Sequence, residues 1–330
     1  MIAPVFPWPP GHPSMPEAAR RQLADSVRTA FLERLRGMAV RTDLSPSLDT
    51  VYVPLAVWLA ERMRESGRPL VAGVNGPPGV GKTTLCPLVQ VILEEGLGIR
   101  VAIVSIDDLY HTRAERRDLA RRVHPLLGTR SVPGTHDIAL GHRILDRITA
   151  ARPGESVALP VFDKVRSDRL PQSEWRSVRG PVDVVLLEGW CVGARPQSEA
   201  ALAEPVNRLE AEEDPDGRWR RHVNGVLANE YRELFARLDV LVMLRIPDIA
   251  YVFQWRREQE ERLAELAGVS RADPGSLAGT RLMTDAQLQR FLSHNDRVQQ
   301  HILEEMPGRA DLVLEFDRQH RFAGVRVNRD

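Results

Sequence analysis

The sequence predicts an α/β fold in which a mostly parallel, five-stranded sheet is flanked by helices. Five short apolar runs alternate with segments whose apolar residues recur at helical spacing, a pattern typical of parallel strands joined by helices. A glycine-rich loop follows the first run directly, and two of the other runs end in carboxylates. The predicted strands are residues 70–74, 101–106, 182–187, 240–246 and 312–316.

Predicted helices precede the first strand and separate the later ones. Apolar residues four apart predict a helix over 16–40, and a second helix over 53–66 is followed by Gly67, a residue type that commonly ends helices. Thr284 and Gln287 have capping-box spacing at the start of a further helix. The predicted helices are residues 16–40, 53–66, 82–94, 137–150, 247–267 and 285–305.

This order of elements predicts the domain organisation. We expect residues 1–68 to form an extended N-terminal arm and a helical cap on the sheet, and residues 69–330 to form one α/β domain. Residues 109–180 contain no central strand of the same kind, and their length and polarity predict an insertion that binds a small molecule.

Composition excludes several classes of function. The formal net charge is zero and the pI is about 7.2, so no basic surface for nucleic acid or for an anionic membrane is expected. No apolar run approaches the roughly 18 residues of a membrane span, and residues 1–16 do not read as a signal peptide. Cys86 and Cys191 fit neither a disulfide framework nor a metal-ligand spacing. We therefore expect a cytoplasmic protein; its oligomeric state is left open.

The glycine-rich loop matches the phosphate-binding pattern G-x-x-x-x-G-K-[ST] at every position. Lys82 is one of only two lysines among 45 basic residues, which indicates a role that arginine cannot fill. We expect it to bind the β- and γ-phosphates of ATP, and we expect the Thr83 hydroxyl to bind Mg²⁺. The predicted nucleotide-binding residues are Gly76, Pro77, Pro78, Gly79, Val80, Gly81, Lys82, Thr83 and Thr84.

Carboxylates follow the second and third predicted strands, as Asp107-Asp108 and as Glu188. Because the carboxyl ends of parallel strands meet at one edge of the sheet, both should reach the phosphate loop. Phosphoryl transfer to a hydroxyl needs one carboxylate to accept the proton and another to support the metal. We expect Asp107 to be the base and also one of the metal-binding residues, and we expect Glu188 to bind Mg²⁺ directly or through water.

Among phosphate-loop proteins, the sequence favours a small-molecule kinase. A GTPase would carry Asn-Lys-x-Asp, but Lys82 follows Gly81 and Lys164 follows Asp163. The hypothesis that remains open beside a kinase is a regulatory protein that binds ATP and has no acceptor.

Several segments together resemble the D-glycerate 3-kinase family, which is part of the wider group of phosphoribulokinases, uridine kinases and pantothenate kinases. The resemblance covers about residues 52–317, and its distinctive parts are Pro-Gly-Thr-His-Asp at 133–137 and Glu-Gly-Trp at 188–190. The chain departs from the family after Lys164, where 165–169 replace a glycine-rich basic stretch. The segments that carry the resemblance are 105–110, 130–137, 162–164, 187–190 and 255–260.

The resemblance implies a P-loop kinase fold with a helical lid at 247–268. It implies that Asp107 is the catalytic base, that Glu188 assists Mg²⁺, and that Arg256 or Arg257 closes over the phosphates as a catalytic residue. D-glycerate is then the first candidate for the acceptor, with a nucleoside, a sugar or a pantothenate-like compound as alternatives.

An arginine fork or a lysine ammonium suits the carboxylate of such an acceptor. The candidate acceptor-binding residues are Asp108, Tyr110, Arg130, His136, Lys164 and Arg166.

Overall fold

The computed structural model describes residues 8–38, 40, 42–270 and 282–328. The helices of these residues are α1 (Glu17–Arg36), α2 (Val53–Ser66), α3 (Lys82–Val91), α4 (Arg113–Arg122), α5 (Ile138–Ala150), α6 (Arg208–Glu213), α7 (Arg218–Val226), α8 (Arg232–Phe235), α9 (Ala250–Ala267), α10 (Asp285–Ser293) and α11 (Asp296–Glu305). The strands are β1 (Leu70–Asn75), β2 (Val101–Ser105), β3 (Ser156–Leu159), β4 (Phe162–Asp163), β5 (Asp168–Arg169), β6 (Arg176–Arg179), β7 (Val184–Gly189), β8 (Val240–Arg245), β9 (Leu312–Phe316) and β10 (Phe322–Val327).

The central sheet has six strands in the order β10-β9-β8-β1-β7-β2. The five predicted strands are all present and pair in parallel, which confirms the α/β fold with a mostly parallel sheet. The sixth strand, β10, pairs antiparallel with β9 and was not predicted. Its residues are mostly half-buried or exposed and include Gly324 and Arg326, so it has no continuous apolar run.

Apolar side chains cover both faces of the sheet. Ala72 and Val74 of β1 belong to a core that α1, α2 and α3 share, whereas Val71 belongs to a core with α5, α7 and α11. Burial on both faces explains why the central strands read as continuous apolar runs. The apolar residues of β1 other than glycine are each at most 3% exposed. The two cores fix the carboxyl edge of the sheet, where the phosphate loop begins.

The N-terminal helices pack directly on this scaffold. Helix α2 covers the predicted range and ends at Gly67 in the left-handed conformation, as expected. Helix α1 lies against the turn that follows α3, where a Cβ on Gly96 would come within 2.6 Å of Leu23 and 2.8 Å of Val27. The first seven residues of the predicted arm lie outside the described residues.

Two of the predicted helices differ from the structure. The predicted helix 285–305 is two helices, α10 and α11, separated at His294 and Asn295. Asn295 accepts a hydrogen bond from the Ser131 hydroxyl, so a tertiary contact holds the break. The capping box of Thr284 and Gln287 is present. The α-helical part of the predicted helix 82–94 ends at Val91 and continues as a turn of π-helix.

The insertion at 109–180 has regular structure of its own. It contains α4, α5 and two small antiparallel sheets, β3-β6 and β4-β5. Helix α5 was predicted, and the Asp137 carboxylate caps it by accepting a hydrogen bond from the Leu140 amide at 2.8 Å. Helix α4 was not predicted, because its ten residues are mostly charged and only Arg116 is buried. In the described part of the chain, we find no helix with the length and apolar character of a membrane span.

Candidate active site

The phosphate loop, residues 76–81, joins the carboxyl end of β1 to the first turn of α3. Gly79 and Gly81 have φ angles of 87° and 106°, in the region that favours glycine. A Cβ on Gly76 would lie 2.8 Å from the Val80 side chain and 2.9 Å from Leu244. The glycines therefore allow a tight loop ahead of a helix N-terminus, which is the setting that binds phosphate.

Lys82 is buried, 9% exposed, with its ammonium inside the loop. Its Nζ donates to the carbonyl oxygens of Gly76 at 2.6 Å and Pro77 at 3.1 Å. Burial lowers the pKa of Lys82, and the nearby carboxylates of Glu188 and Asp107 oppose that shift. Lys82 thus lies within the electrostatic reach of the predicted base, Asp107, and of the predicted metal-binding residue Glu188.

Glu188 is held at the loop by the register of the sheet. It lies in β7 directly between Val74 of β1 and Ser105 of β2. The side chain is 6% exposed. Burial raises the pKa of Glu188, while the charge of Lys82 acts in the opposite direction. A buried carboxylate beside the phosphate loop is suited to support a divalent cation.

Asp107 follows β2 in a short 3₁₀ turn and forms an ion pair with Lys164, Nζ to Oδ2 at 2.9 Å. Burial alone would raise the pKa of Asp107, but the charge and hydrogen bond of Lys164, with smaller effects of His136 and Lys82, hold it at about 2. Asp107 is therefore ionised at physiological pH.

Asp108 faces elsewhere and supports the insertion. Its Oδ1 accepts a hydrogen bond from the Phe162 amide at 3.0 Å, and its Oδ2 pairs with Arg176 at 3.1 Å. Burial raises the pKa of Asp108, and these two contacts oppose the rise. Because both oxygens are engaged with the protein, Asp108 ties β4 and β6 to the end of β2, a different role from the predicted contact with the acceptor.

Tyr110, His136 and Phe162 form an aromatic wall beside Asp107. Tyr110 stacks on His136 with ring centroids 4.2 Å apart and meets Phe162 edge-on at 5.3 Å. The Tyr110 hydroxyl donates to the Ser131 carbonyl at 3.1 Å. The structure thus brings Tyr110, His136 and Lys164 to the same place as Asp107, the arrangement predicted for an acceptor pocket.

Two guanidinium groups lie near the Phe162 ring, that of Arg130 at 5.8 Å and that of Arg116 at 5.4 Å from its centroid. Arg130 also lies over the Phe291 ring at 5.7 Å. Arg116 is 2% exposed and donates to the carbonyl oxygens of His111 and Ser167, but sequence reasoning did not select it. Within the described residues, neither arginine forms an ion pair with a carboxylate.

Arg166 lies away from this wall. Its side chain is 69% exposed and its nearest carboxylate is that of Asp163, at 3.5 Å. The neighbouring Ser167 has a φ of 50° at the turn between β4 and β5, in the segment where the chain departs from the resemblance. The structure therefore separates Arg166 from the other predicted acceptor-binding residues.

The two lid arginines of α9 have different surroundings. The Cδ of Arg256 lies 3.3 Å from the position of a Cβ on Gly79, so this side chain lies against the phosphate loop. Arg256 also pairs with Glu260 at 2.8 Å, and burial lowers its pKa. Arg257 is 51% exposed and pairs with Glu261. Only Arg256 is in contact with the loop.

Two further site residues gave no signal in the sequence. The hydroxyl of Tyr231 lies 2.6 Å from His136 Nδ1. His320, from the turn between β9 and β10, stacks on Trp255 at 4.2 Å and has its Nε2 3.1 Å from the Val80 carbonyl. Neither belongs to a local motif, and both reach the site through the tertiary fold.

The loop residues fit a nucleoside triphosphate with Mg²⁺. The space where a Cβ of Gly81 would stand is open, and the Thr83 side chain is exposed in the first turn of α3. Within the described residues, no group of three or more His, Cys, Asp and Glu could hold a metal by itself. A metal at Thr83 and Glu188 would therefore share the phosphate oxygens, as Mg²⁺ commonly does.

Comparison with known proteins supports this assignment. A family model for methylmalonyl-CoA mutase-associated GTPase MeaB matches residues 54–112, the stretch around the phosphate loop. The uncharacterised kinase mug58 of Schizosaccharomyces pombe is 30% identical over 230 residues, which cover 66% of this chain and 79% of that protein. The chloroplastic D-glycerate 3-kinase of Arabidopsis thaliana is 28% identical over 226 residues, or 63% of this chain.

The chain belongs to the D-glycerate 3-kinase family of P-loop kinases. The match spans about half, 47%, of the length of the Arabidopsis enzyme. The structure of D-glycerate 3-kinase from Cryptococcus neoformans superposes with a TM-score of 0.63 at 24% identity and covers 94% of this chain and 99% of that one. That superposition shows that the fold is shared. The kinase relatives imply that this P-loop kinase uses ATP, with Mg²⁺ as its usual partner, and has a small-molecule acceptor.

Proposed function

We propose that this P-loop kinase transfers the γ-phosphoryl group of ATP to a hydroxyl of a small anionic metabolite, with D-glycerate as the first candidate. The observation that supports it most is Asp107, ionised at the end of β2 and adjoining both Lys82 and the aromatic wall. A nucleotide switch has no acceptor hydroxyl and therefore needs no carboxylate to accept its proton. We also assign residues 109–180 to acceptor binding and 247–268 to the lid.

The charge of the pocket favours an anionic acceptor. Arg130 lies between two aromatic rings, and the nearby cations Arg116 and Arg256 repel it rather than pair with it. A carboxylate matches an arginine fork in two hydrogen bonds. D-glycerate carries such a carboxylate together with hydroxyl groups, whereas a nucleoside or a neutral sugar would leave Arg130 without a counter-charge.

The roles of the residues follow from their positions. Asp107 accepts the proton of the attacking hydroxyl, and Lys82 with the loop amides holds the phosphates. Bound Mg²⁺, held at Thr83 and Glu188, would supply neutralisation of phosphate charge. Arg256 adds a guanidinium above the loop, where charge develops in the transition state. Lys164 and Arg130 orient the acceptor's carboxylate.

A coupled assay of ADP release with a panel of acceptors tests this proposal. D-glycerate should stimulate ADP release by the wild type in the presence of Mg²⁺, and the product should be a phosphoglycerate. Asp107→Asn should lower that rate by at least about 100-fold, because general-base catalysis contributes at least this factor, and the variant should still bind ATP. Unchanged turnover in this variant would refute the role of Asp107.

The panel also separates the alternatives. Stimulation by a nucleoside, sugar or pantothenate-like compound instead of D-glycerate would keep the kinase and replace its acceptor. Slow ADP release that no acceptor stimulates would favour the regulatory alternative and contradict the proposed function.

A further inference from the structure

The two ring nitrogens of His136 have different surroundings. The ring is 2% exposed. Its Nδ1 lies 2.6 Å from the Tyr231 hydroxyl, whereas its Nε2 is buried and has no hydrogen-bond partner among the residues that the structure describes. Burial lowers the pKa of His136 to about 3, although the charge of Asp107 opposes the shift, so the ring is neutral. A neutral imidazole carries its hydrogen on one nitrogen only.

Tyr231 decides which nitrogen carries that hydrogen. The Tyr231 oxygen already accepts a hydrogen bond from the Gly134 amide at 3.0 Å. Its own hydrogen is buried with the ring, which is 0% exposed, and Nδ1 is the acceptor within reach. If Tyr231 donates to Nδ1, the imidazole hydrogen lies on Nε2.

The Nε2–H group is a buried donor with an unmet hydrogen bond, a costly arrangement that a ligand oxygen would relieve. The ring lies in the aromatic wall, stacked on Tyr110 at 4.2 Å, and interacts electrostatically with Asp107. An oxygen atom of the acceptor is the group that the proposed reaction brings to this place.

We propose that Tyr231 is a positioning residue that fixes His136 in its Nε2–H form, and that this N–H donates a hydrogen bond to an oxygen of the acceptor beside Asp107. The inference rests on the proposed function, since it needs an acceptor in this pocket. It adds to that function a neutral hydrogen-bond donor. This donor favours a substrate with an oxygen atom at this position, whether or not that oxygen is charged.

Nitrogen NMR of histidine-labelled protein tests the tautomer without turnover. His136 is assigned among the nine histidines by the signal that His136→Gln removes. We expect a protonated Nε2 and an unprotonated Nδ1 at pH 7.5, and we expect saturating D-glycerate to shift the Nε2 signal. A protonated Nδ1, or an unchanged signal in protein that turns D-glycerate over, would overturn the inference.

A matched pair of variants tests the donor. The amide nitrogen of His136→Gln reaches the position of Nε2, while that of His136→Asn reaches only the position of Nδ1. We expect the Asn variant to raise the KM for the acceptor by about 3- to 10-fold more than the Gln variant does, the effect of one hydrogen bond, with the KM for ATP unchanged. Equal acceptor KM values for the two variants would count against the donor.

Tyr231→Phe tests the positioning role. It should raise the acceptor KM by a similar factor and mix the two tautomers in the NMR spectrum. Tyr52 is 2% exposed and lies in the core shared with α1, α2 and α3. Tyr52→Phe also removes a buried hydroxyl, but it should change neither the acceptor KM nor the tautomer of His136. A wild-type acceptor KM in Tyr231→Phe would overturn the inference.

The acceptor panel keeps this test distinct from that of the proposed function. If D-glycerate is turned over but the histidine and tyrosine variants behave as wild type, the inference alone fails. If another acceptor from the panel is turned over instead, the choice of D-glycerate fails, and that compound replaces it as the probe in the NMR and KM measurements.

Discussion

At the scale of single residues, Lys82 is buried and donates two hydrogen bonds to main-chain carbonyl oxygens. Its ammonium lies 2.6 Å from the Gly76 oxygen and 3.1 Å from the Pro77 oxygen, in a loop that a single added Cβ would crowd. A point charge on a thin stem fits this space, whereas a planar guanidinium is wider. The geometry explains why lysine stands here in a chain that otherwise uses arginine almost throughout.

Lys82→Arg should therefore lose affinity for ATP despite keeping its charge. We expect a loss of at least about 10-fold, since the wider group must displace the loop amides that bind phosphate. Isothermal titration with a non-hydrolysable ATP analogue and Mg²⁺ measures it. Lys82→Met, which keeps a similar length without the charge, is the matched control and should also bind weakly. Wild-type affinity in Lys82→Arg would contradict the steric argument.

Residues within a motif were predictable, and residues joined only by the fold were not. Lys82 and Thr83 stand in a contiguous pattern, and Asp107 and Glu188 each end an apolar run, so position along the chain was enough to select them. Tyr231 has no motif and reaches His136 over 95 positions of sequence. Arg166 had the right charge and neighbourhood, but the turn between β4 and β5 directs its side chain to solvent.

At the scale of elements, helix α9 separates two adjacent arginines that the sequence could not distinguish. Successive helical residues are 100° apart around the axis, so Arg256 and Arg257 cannot both face the phosphate loop. Arg256 lies against Gly79, while Arg257 is half exposed and pairs with Glu261 one turn later. Arg257 is therefore a matched control for a substitution of Arg256.

Arg256→Gln should lower kcat by at least about 10-fold, because it removes charge above the transferred phosphoryl group. Arg257→Gln loses only a surface ion pair, worth a few tenths of a kcal/mol, and should keep kcat within about twofold of wild type. Steady-state kinetics on both variants measure this. Equal losses of kcat, or a larger loss in Arg257→Gln, would reverse the assignment.

Other elements show where local pattern fails. The predicted helix 285–305 is continuous in its apolar spacing, but Asn295 bonds to Ser131 of the insertion and the chain breaks there. Strand β10 was not predicted because Gly324 and Arg326 interrupt its apolar residues, and its pairing with β9 at the edge of the sheet defines it. Both features depend on contacts between segments that are far apart in the sequence.

At the scale of the whole molecule, buried histidines make the stability of the fold depend on pH. Five histidines have a pKa lowered by burial. Such a histidine binds a proton less tightly in the folded protein than in the unfolded chain. Its stabilising contribution is present above the unfolded pKa of about 6.5 and is lost as the pH falls below it. The five histidines are His111, His136, His222, His294 and His320.

Three buried carboxyl groups act in the opposite direction. Burial raises the pKa of Asp108, Glu188 and Asp296, so the folded protein binds their protons more tightly than the unfolded chain does. Their contribution favours the fold at low pH and is lost as the pH rises. The pH dependence of stability is therefore the sum of opposing contributions. Comparing the wild type with a variant that lacks one histidine isolates the contribution of that histidine.

His136 allows that difference to be calculated. Its pKa is about 3 in the folded protein and about 6.5 in the unfolded chain, so between these values only the unfolded chain is protonated. When the pH is lowered from 7.5 to 5.5, the free energy of unfolding should fall by about 1.4 kcal/mol more in the wild type than in His136→Gln. The reason is that pH 5.5 lies one unit below the pKa of the unfolded histidine, and one unit corresponds to this free energy. Urea denaturation of both proteins at the two pH values measures this, and parallel losses in the two proteins would show that His136 titrates normally in the fold.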